Sequence, residues 1–344
     1  MKGRQIMEDL TGTNLAPIVV FAYNRPWHLR KTLKALMANR FAKHSRLIVY
    51  ADGAKPSATQ TELEKIEGVR DYLTLLALAN KTEGFFHSID IVQRECNFGL
   101  ADSIINGVSE VMQKYGMAIV LEDDIITSPV FLDYMNASLH KYQHEARVWS
   151  ISAWSYPINP QNLGDCFFWR SPHCWGWASW ADRWQYFKRD IPWALENFSQ
   201  EDIDYINING SARYYDQVIA NYEGRIKTWA IFNYLIAYKH GALSLCPNVS
   251  YIRQIGFDNS GEHCGEDGEI LNTQVINTTF PVSFPSEVVE SRLAFERIEA
   301  FELAQKLPIA QRIVRKIQRI QTTLHQRLVY VMTGKIGGGA TLNS

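Results

Sequence analysis

The chain has 344 residues, and its 35 Lys and Arg against 36 Asp and Glu leave a formal net charge of −1. That balance excludes nucleic-acid binding driven by bulk charge. With 46% apolar residues, the length allows a sizeable core in one large domain or two smaller ones.

In chain order, residues 17–23 form a continuous apolar run of strand length, broken by Asn24-Arg25-Pro26. Pro26 suits a first helical turn, and Leu29, Leu33, Leu36 and Met37 follow at helical spacing. Arg25 sits at this strand-to-helix junction, where its planar fork suits a phosphate or nucleotide and where a surface arginine is equally ordinary. A second strand, residues 46–51, ends in Asp52-Gly53. An Asp there can accept from a ribose hydroxyl or a base, and Asp-Gly is also a common turn. Residues 59–78 read as a helix and 87–92 as a third strand. Asn97-Phe98-Gly99-Leu100-Ala101 opens another helix, with Gly99 allowing close backbone approach to a ligand. Residues 117–121 then run as a fourth strand into Glu122-Asp123-Asp124.

The alternation predicts an α/β fold with a doubly wound, mostly parallel sheet flanked by helices. Its strand ends would place Arg25, Asp52, Asn97, Gly99 and the three acids on one edge, where such sheets bind ligands. Three adjacent carboxylates repel one another and are costly to desolvate. Mn2+ or Mg2+, with a substrate phosphate completing its shell, relieves both problems. A helix cap ahead of Ile125 is the alternative reading.

The ordered set Phe21-Ala22-Tyr23-Asn24-Arg25-Pro26, Asp52-Gly53, Asn97-Phe98-Gly99-Leu100-Ala101 and Glu122-Asp123-Asp124 resembles GT-A glycosyltransferases. The bacterial family 2-like enzymes are the nearest, and the N-terminal half is similar to N-acetylglucosaminyltransferase I. The resemblance spans roughly residues 17–264. It implies a GT-A-like catalytic domain over 14–285, with a nucleotide-sugar half (14–128) and a Trp-rich acceptor half (129–285). A nucleoside-diphosphate sugar, UDP-sugar favoured, is the implied donor, and a glycan or lipid-linked glycan the acceptor. Asp124 is the implied metal ligand. Asp123 would lie near the ribose or sugar, Glu122 is a further donor-binding candidate, and Arg25 and Asp52 would contact the nucleotide. Inverting transfer and a place in bacterial surface polysaccharide or glycoconjugate synthesis are expectations from the resemblance alone.

Eight of the ten tryptophans lie between Trp149 and Trp193, so that segment decides between sugar stacking and core packing. Trp175-Gly176-Trp177-Ala178-Ser179-Trp180 resembles the family's Trp-Gly-Trp-Ala-Thr-Trp run, with Ser179 in place of Thr. That resemblance puts Trp177 beside the donor. Residues 227–238 read as a helix and 243–250 as a short strand. The loop from Ile255 to Cys264 resembles a later family segment in which His263 would join the metal or touch the diphosphate. A carboxylate base is required for inversion. The family's Trp-Asp-Asp segment has Trp229-Ala230-Ile231 as its counterpart, which carries no acid. Asp182, Asp216, Asp258 and Glu262 remain candidates, with Asp182 preferred because it follows the Trp run.

Residues 287–305 read as a helix. After Pro308 a second follows, with Ile309, Ile313, Ile317, Ile320, Leu324 and Leu328 in one stripe. Together they make a helical, basic extension, 286–335. From Leu303 onward there are seven Lys or Arg and no acid, leaving about −8 (−1 minus 7) on the rest. The second helix suits either an anionic membrane surface or packing on the catalytic domain or a second subunit. Five scattered cysteines without a Cys-x-x-Cys spacing argue against a disulfide framework. No signal-peptide core precedes residue 13, and no stretch approaches the ~20 apolar residues of a membrane span. A cytoplasmic protein, peripheral at most to the inner membrane face, is expected. Competing readings are a nucleotidyltransferase acting on sugar phosphates, and a non-catalytic carbohydrate-binding protein on a glycosyltransferase scaffold. The former usually has a Gly-rich basic loop where this chain has Asn24-Arg25-Pro26.

Overall fold

The computed structural model describes residues 15–258, 260–261 and 270–306. β1 (Ile18–Ala22), β2 (Arg46–Ala51), β3 (Ser88–Gln93) and β4 (Met117–Glu122) run parallel in the order β3-β2-β1-β4. They alternate with α1 (Pro26–Met37), α2 (Gln60–Glu83) and α3 (Leu100–Tyr115). Every residue of β1 is buried, as a parallel strand covered on both faces requires. α2 starts at a Thr59–Glu62 capping box and outruns its expected end at 78, stopping at Gly84 in the left-handed conformation (φ 63°). Polar Asn80, Lys81 and Thr82 hide that last turn from an apolar pattern.

Beyond β4 come β5 (Ile125–Thr127), α4 (Phe131–Tyr142), β6 (Val148–Ser152), β7 (Cys166–Trp169) and β8 (Trp177–Trp180). Four short helices follow: α5 (Ala181–Trp184), α6 (Ile191–Glu196), α7 (Gln200–Ile206) and α8 (Asp216–Tyr222). α9 (Ala230–Lys239), β9 (Leu243–Pro247), β10 (Ile252–Gln254) and α10 (Arg292–Gln305) complete the described elements. The main sheet has eight strands in the order β3-β2-β1-β4-β8-β6-β9-β7. Four of its seven neighbouring pairs are parallel, the β8 and β7 pairings being antiparallel. The segments entering β7 and β8 contain no crossover helix, which a parallel neighbour ordinarily needs. One sheet therefore runs through both halves of the chain.

Tryptophans carry much of the second half's packing. Seven of the ten are buried, so most of the cluster is core rather than ligand surface. Trp177 is 1% exposed, with ring centroids 5.4 Å from Trp184 and 5.3 Å from Trp229. Ser179 on β8 donates to the Trp149 carbonyl on neighbouring β6 at 2.7 Å, so its buried hydroxyl is satisfied. α10 closes over β7: Trp169 meets Phe295 at 6.2 Å, and Arg170 makes a two-pronged contact with Glu290 at 2.7 and 2.6 Å. The first part of the expected extension thus packs on the domain. Its second helix, like Glu262, His263 and Cys264, lies outside the described residues.

Candidate functional site

Register brings the strand ends level. Ala22 pairs with Ala51, and Phe21 pairs with Tyr50 on one side and Glu122 on the other. The residues that follow these strands therefore share one edge of the sheet. Arg25, at the start of α1, ion-pairs with Asp123, and its Nη1 lies 2.8 Å from Asp124 Oδ2. Asp123 and Asp124 are 2% and 3% exposed, so the pair is buried and its one cation faces three acids. Burial together with Asp124 pushes Glu122 up to about 8. Burial likewise raises Asp123 to about 6, against the opposing pull of Arg25. Arg25 itself is held more firmly charged: burial would lower it, and Asp123 and Asp124 outweigh that. The backbone around the acids is fixed too. Thr32 Oγ1 donates to the Asp123 carbonyl at 2.7 Å, and Ile255 N–H to the Asp124 carbonyl at 2.8 Å.

Two glycines are required by space. A Cβ on Gly256 would stand 2.3 Å from Asp124 Oδ2 and 3.1 Å from Arg25 Nη1. A Cβ on Gly53 would stand 2.5 Å from the Cys96 backbone. Gly53 closes the neighbouring loop, which Asp52 organises. Its Oδ1 accepts from Gly53 and Phe98 N–H, and its Oδ2 from Asn97 Nδ2, Phe98 N–H and Gly99 N–H, all at 2.9–3.1 Å. Gly53→Ala is expected to cost about 1–3 kcal/mol, because backbone atoms cannot step aside. A lowered urea midpoint at unchanged slope is the result that checks it.

The family model for the GNT-I family matches residues 2–194. The chain belongs to the GNT-I family. Its mostly parallel sheet flanked by helices is the α/β architecture expected from the sequence. No curated protein matches it. Among solved structures it is similar to TarS of S. aureus, with 14% identity and a TM-score of 0.28, over 40% of this chain and 21% of that one. A mannosyltransferase from Pyrobaculum calidifontis, in complex with GDP-mannose and Mn2+, shares 10% identity at a TM-score of 0.36, over 70% and 75% of the two chains. The galactosyltransferase LgtC, with donor and acceptor sugar analogues, shares 11% at 0.31, over 64% and 70%. The chain thus spans about a fifth of the length of TarS.

In this GNT-I family member the donor set fits a hard divalent cation. Asp124 Oδ1 is buried and accepts no hydrogen bond, while Oδ2 is engaged by Arg25 and by Gln254 Nε2 at 3.2 Å. Among the described residues no three His, Cys, Asp or Glu side chains form a ready metal cage. One carboxylate with waters and substrate oxygens is how Mg2+-type ions are commonly held.

The sequence candidates separate on this frame. Arg25, Glu122, Asp123 and Asp124 come together. Asp52, Asn97 and Gly99 form the adjoining loop, but the Asp52 carboxylate is occupied by that loop and leaves little for a ribose. Trp177 is enclosed on a central strand and offers no face to a donor. Asp182 is displaced from the site: Trp180 pairs with Met117 at the opposite end of β4 from the acids, and Asp182 binds Arg183 at 2.7 Å, 62% exposed. Following the Trp run in sequence carried it to the wrong end of an antiparallel strand. Asp216 pairs with Arg213 at 2.7 Å on the exposed side of α8. Asp258, two residues after Gly256, does reach the site. Its Oδ2 lies 3.1 Å from His28 Nε2 on α1, one turn from Arg25.

Beside the acids, beyond Phe257, lies a cavity of about 520 Å³. Trp175 links the two: its ring is 5.6 Å from Phe257 and 5.2 Å from Trp154. The far wall is built from Tyr214, Tyr234 and Glu302. Tyr234 and Glu302 lie in segments that read from the sequence only as helices, and the sequence singles out none of the three, the acid Glu302 being the one visible signal. His173 is wedged against Trp154 and Tyr156, and burial pushes it down to about 3. An unfolded His titrates near 6.5, so between these values the unfolded chain binds the extra proton. The His173 contribution should be intact above pH ~6.5 and fall on acidification by at most about 1.4 kcal/mol per unit, less as the ring keeps some solvent contact, against the opposite trend from the raised Glu122 and Asp123, so it is read as the difference between wild type and variant. Denaturant titrations from pH 7 to 5 check this, with His173→Phe expected to remove that fall.

Proposed function

We propose that the protein transfers a sugar from a nucleoside-diphosphate sugar, UDP-sugar favoured, to a hydroxyl of a glycan or lipid-linked glycan. The observation that carries this reading is the single sheet edge where Arg25, Glu122, Asp123 and Asp124 meet beside the Asp52-organised Asn97–Gly99 loop. Asp124, with Oδ1 unengaged, would hold Mn2+ or Mg2+, and His263 is a further candidate outside the described residues. When bound, the ion supplies Lewis-acid neutralisation of a departing diphosphate. Arg25 orients the acids and keeps their charge compensated. The Gly99 turn, at φ 76°, brings backbone close to the donor at the start of α3.

For the acceptor proton, Asp258 is the described carboxylate best placed. It is half-exposed, oriented by His28 and by Ser260 Oγ–H at 2.5 Å, and adjacent to the Phe257–Trp175 contact. An acid in that position suits inverting transfer. Asp258→Asn is expected to lower kcat by roughly 10²–10⁴ while nucleotide affinity stays within twofold, about the range for a lost general base. A variant with wild-type kcat would remove Asp258 from the chemistry. Bacterial surface-glycan synthesis is the setting we infer from the family resemblance.

The deciding experiment is calorimetric titration of UDP, GDP, CDP and dTDP with and without Mn2+. Metal-dependent binding of one nucleotide supports the reading. No binding of any of them would leave a carbohydrate-binding scaffold as the better account.

A further inference from the structure

We propose that the aromatic cavity behind Trp175 is the acceptor site and takes a pyranose sugar at the end of a glycan. The assignment rests on the transferase reading above. The cavity volume of about 520 Å³ falls in the range of ligand sites. Its chemistry is that of a sugar site rather than a lipid pocket. The part-exposed Trp175, packed edge to face on Trp154 at 88°, supplies flat apolar surface for sugar C–H groups. Against them stands a polar relay: Tyr156 and Tyr214 hydroxyls hydrogen-bond each other, and Tyr214 O–H donates to Glu302 Oε1 at 2.9 Å. The part-buried Glu302 carboxylate beside two phenols can accept further from a ring hydroxyl. An alkyl chain would bring no donor to these polar groups and would remove the carboxylate's remaining hydration. Two further wall residues, Trp154 and Tyr234, are 4% and 3% exposed, and Trp154 Nε1 and Tyr234 OH have no hydrogen-bond partner.

Position completes the case. Trp175 stands between the cavity and Phe257, and the residue on each side of Phe257 touches the reaction edge: Gly256 at Asp124 and Asp258 at His28. A sugar seated there is separated by one aromatic pair, Trp175 and Phe257, from the loop that carries Asp258. Tyr214, Tyr234 and Glu302 lie beyond residues 2–194, so the family match does not itself supply this pocket. The inference makes α10 part of the substrate site rather than a mere extension.

Saturation-transfer NMR on the full chain, with methyl β-glucoside, methyl β-galactoside and methyl β-N-acetylglucosaminide as probes, tests it. At least one glycoside should show transfer to its ring protons. Glu302→Gln should weaken it roughly tenfold to a hundredfold, the worth of a charged hydrogen bond. Gln217→Trp fills the cavity from a half-exposed wall position without touching the carboxylate, and should abolish the signal in a folded protein. No transfer from any probe, or transfer unaffected by both variants, overturns the proposal. Calorimetry with nucleotide on the same proteins separates the two readings. Sugar binding lost with nucleotide binding kept supports both. Sugar binding in the cavity of a protein that binds no nucleotide overturns the transferase reading and leaves the cavity a carbohydrate site only.

Discussion

Asp124→Ala is expected to abolish metal-dependent nucleotide binding, by at least about a hundredfold, while leaving the fold as stable as wild type or more so. The first effect follows from Oδ1, the buried carboxylate oxygen without a partner among four crowded charged groups. A hard cation contributes several kcal/mol of charge stabilisation at a diphosphate, and this oxygen is its best-placed protein ligand. The second effect follows from repulsion: three acids share one arginine, and Glu122 is already pushed up to about 8 by burial and by Asp124 itself. Removing one acid lets Arg25 settle on Asp123. Nucleotide calorimetry and thermal melts of the same sample read both effects. A variant that binds nucleotide normally with Mn2+ would move the metal away from Asp124.

Much of this edge was legible in the sequence, and the reason is local. Residues 17–22, 47–51 and 117–121 are unbroken apolar runs, and Arg25, Asp52, Glu122, Asp123 and Asp124 all fall within three residues of the end of one. A parallel sheet converts that one-dimensional adjacency into spatial adjacency, because equivalent strand ends point the same way. The second half did not yield in this way. Asp182 followed the Trp run in sequence and so was expected at the site, yet β8 runs antiparallel to β4 and carries it to the opposite edge. Strand direction depends on pairing across nearly sixty residues, and no local pattern holds it. Trp177 failed as a ligand for a related reason. A tryptophan's side-chain pattern is the same whether it stacks on sugar or on Trp184 and Trp229. Asp258 was one candidate among four by composition, and only the His28 contact distinguishes it. Asp52 shows the subtler limit: its position was right, but the loop it binds takes up the acceptor capacity that a ribose would need.

The site also explains why the surrounding backbone tolerates so little change. Gly256 lies against Asp124, and Gln254, two residues earlier, donates to the same carboxylate and accepts from Gly256 N–H. β10 is held antiparallel to β5, so the strand that follows the acids in sequence anchors the loop that covers them. The charged sheet edge, covering loop and cavity wall are therefore one packed unit, continuous through Phe257 and Trp175.

Arg25→Ala tests that unit from the opposite side. The arginine side chain is 14% exposed and its partners 3% and 4%, so its loss strands buried carboxylates with no compensating charge. Breaking such a pair from one side costs about 3–5 kcal/mol in fully buried cases, and about 3 kcal/mol is expected here because Arg25 keeps some solvent contact. The acids would relieve part of the strain by taking up protons, which drains the charge a cation needs. Millimolar Mn2+ should nevertheless raise the variant's Tm more than the wild type's. In the wild type the guanidinium already compensates the acids, whereas in the variant the ion supplies the missing positive charge, and a ligand that binds the folded state stabilises it more the tighter it binds. Differential scanning calorimetry of both proteins with and without Mn2+ decides the matter. A smaller Mn2+ shift in the variant than in the wild type would mean that Arg25 helps to build the cation site rather than standing in for the cation.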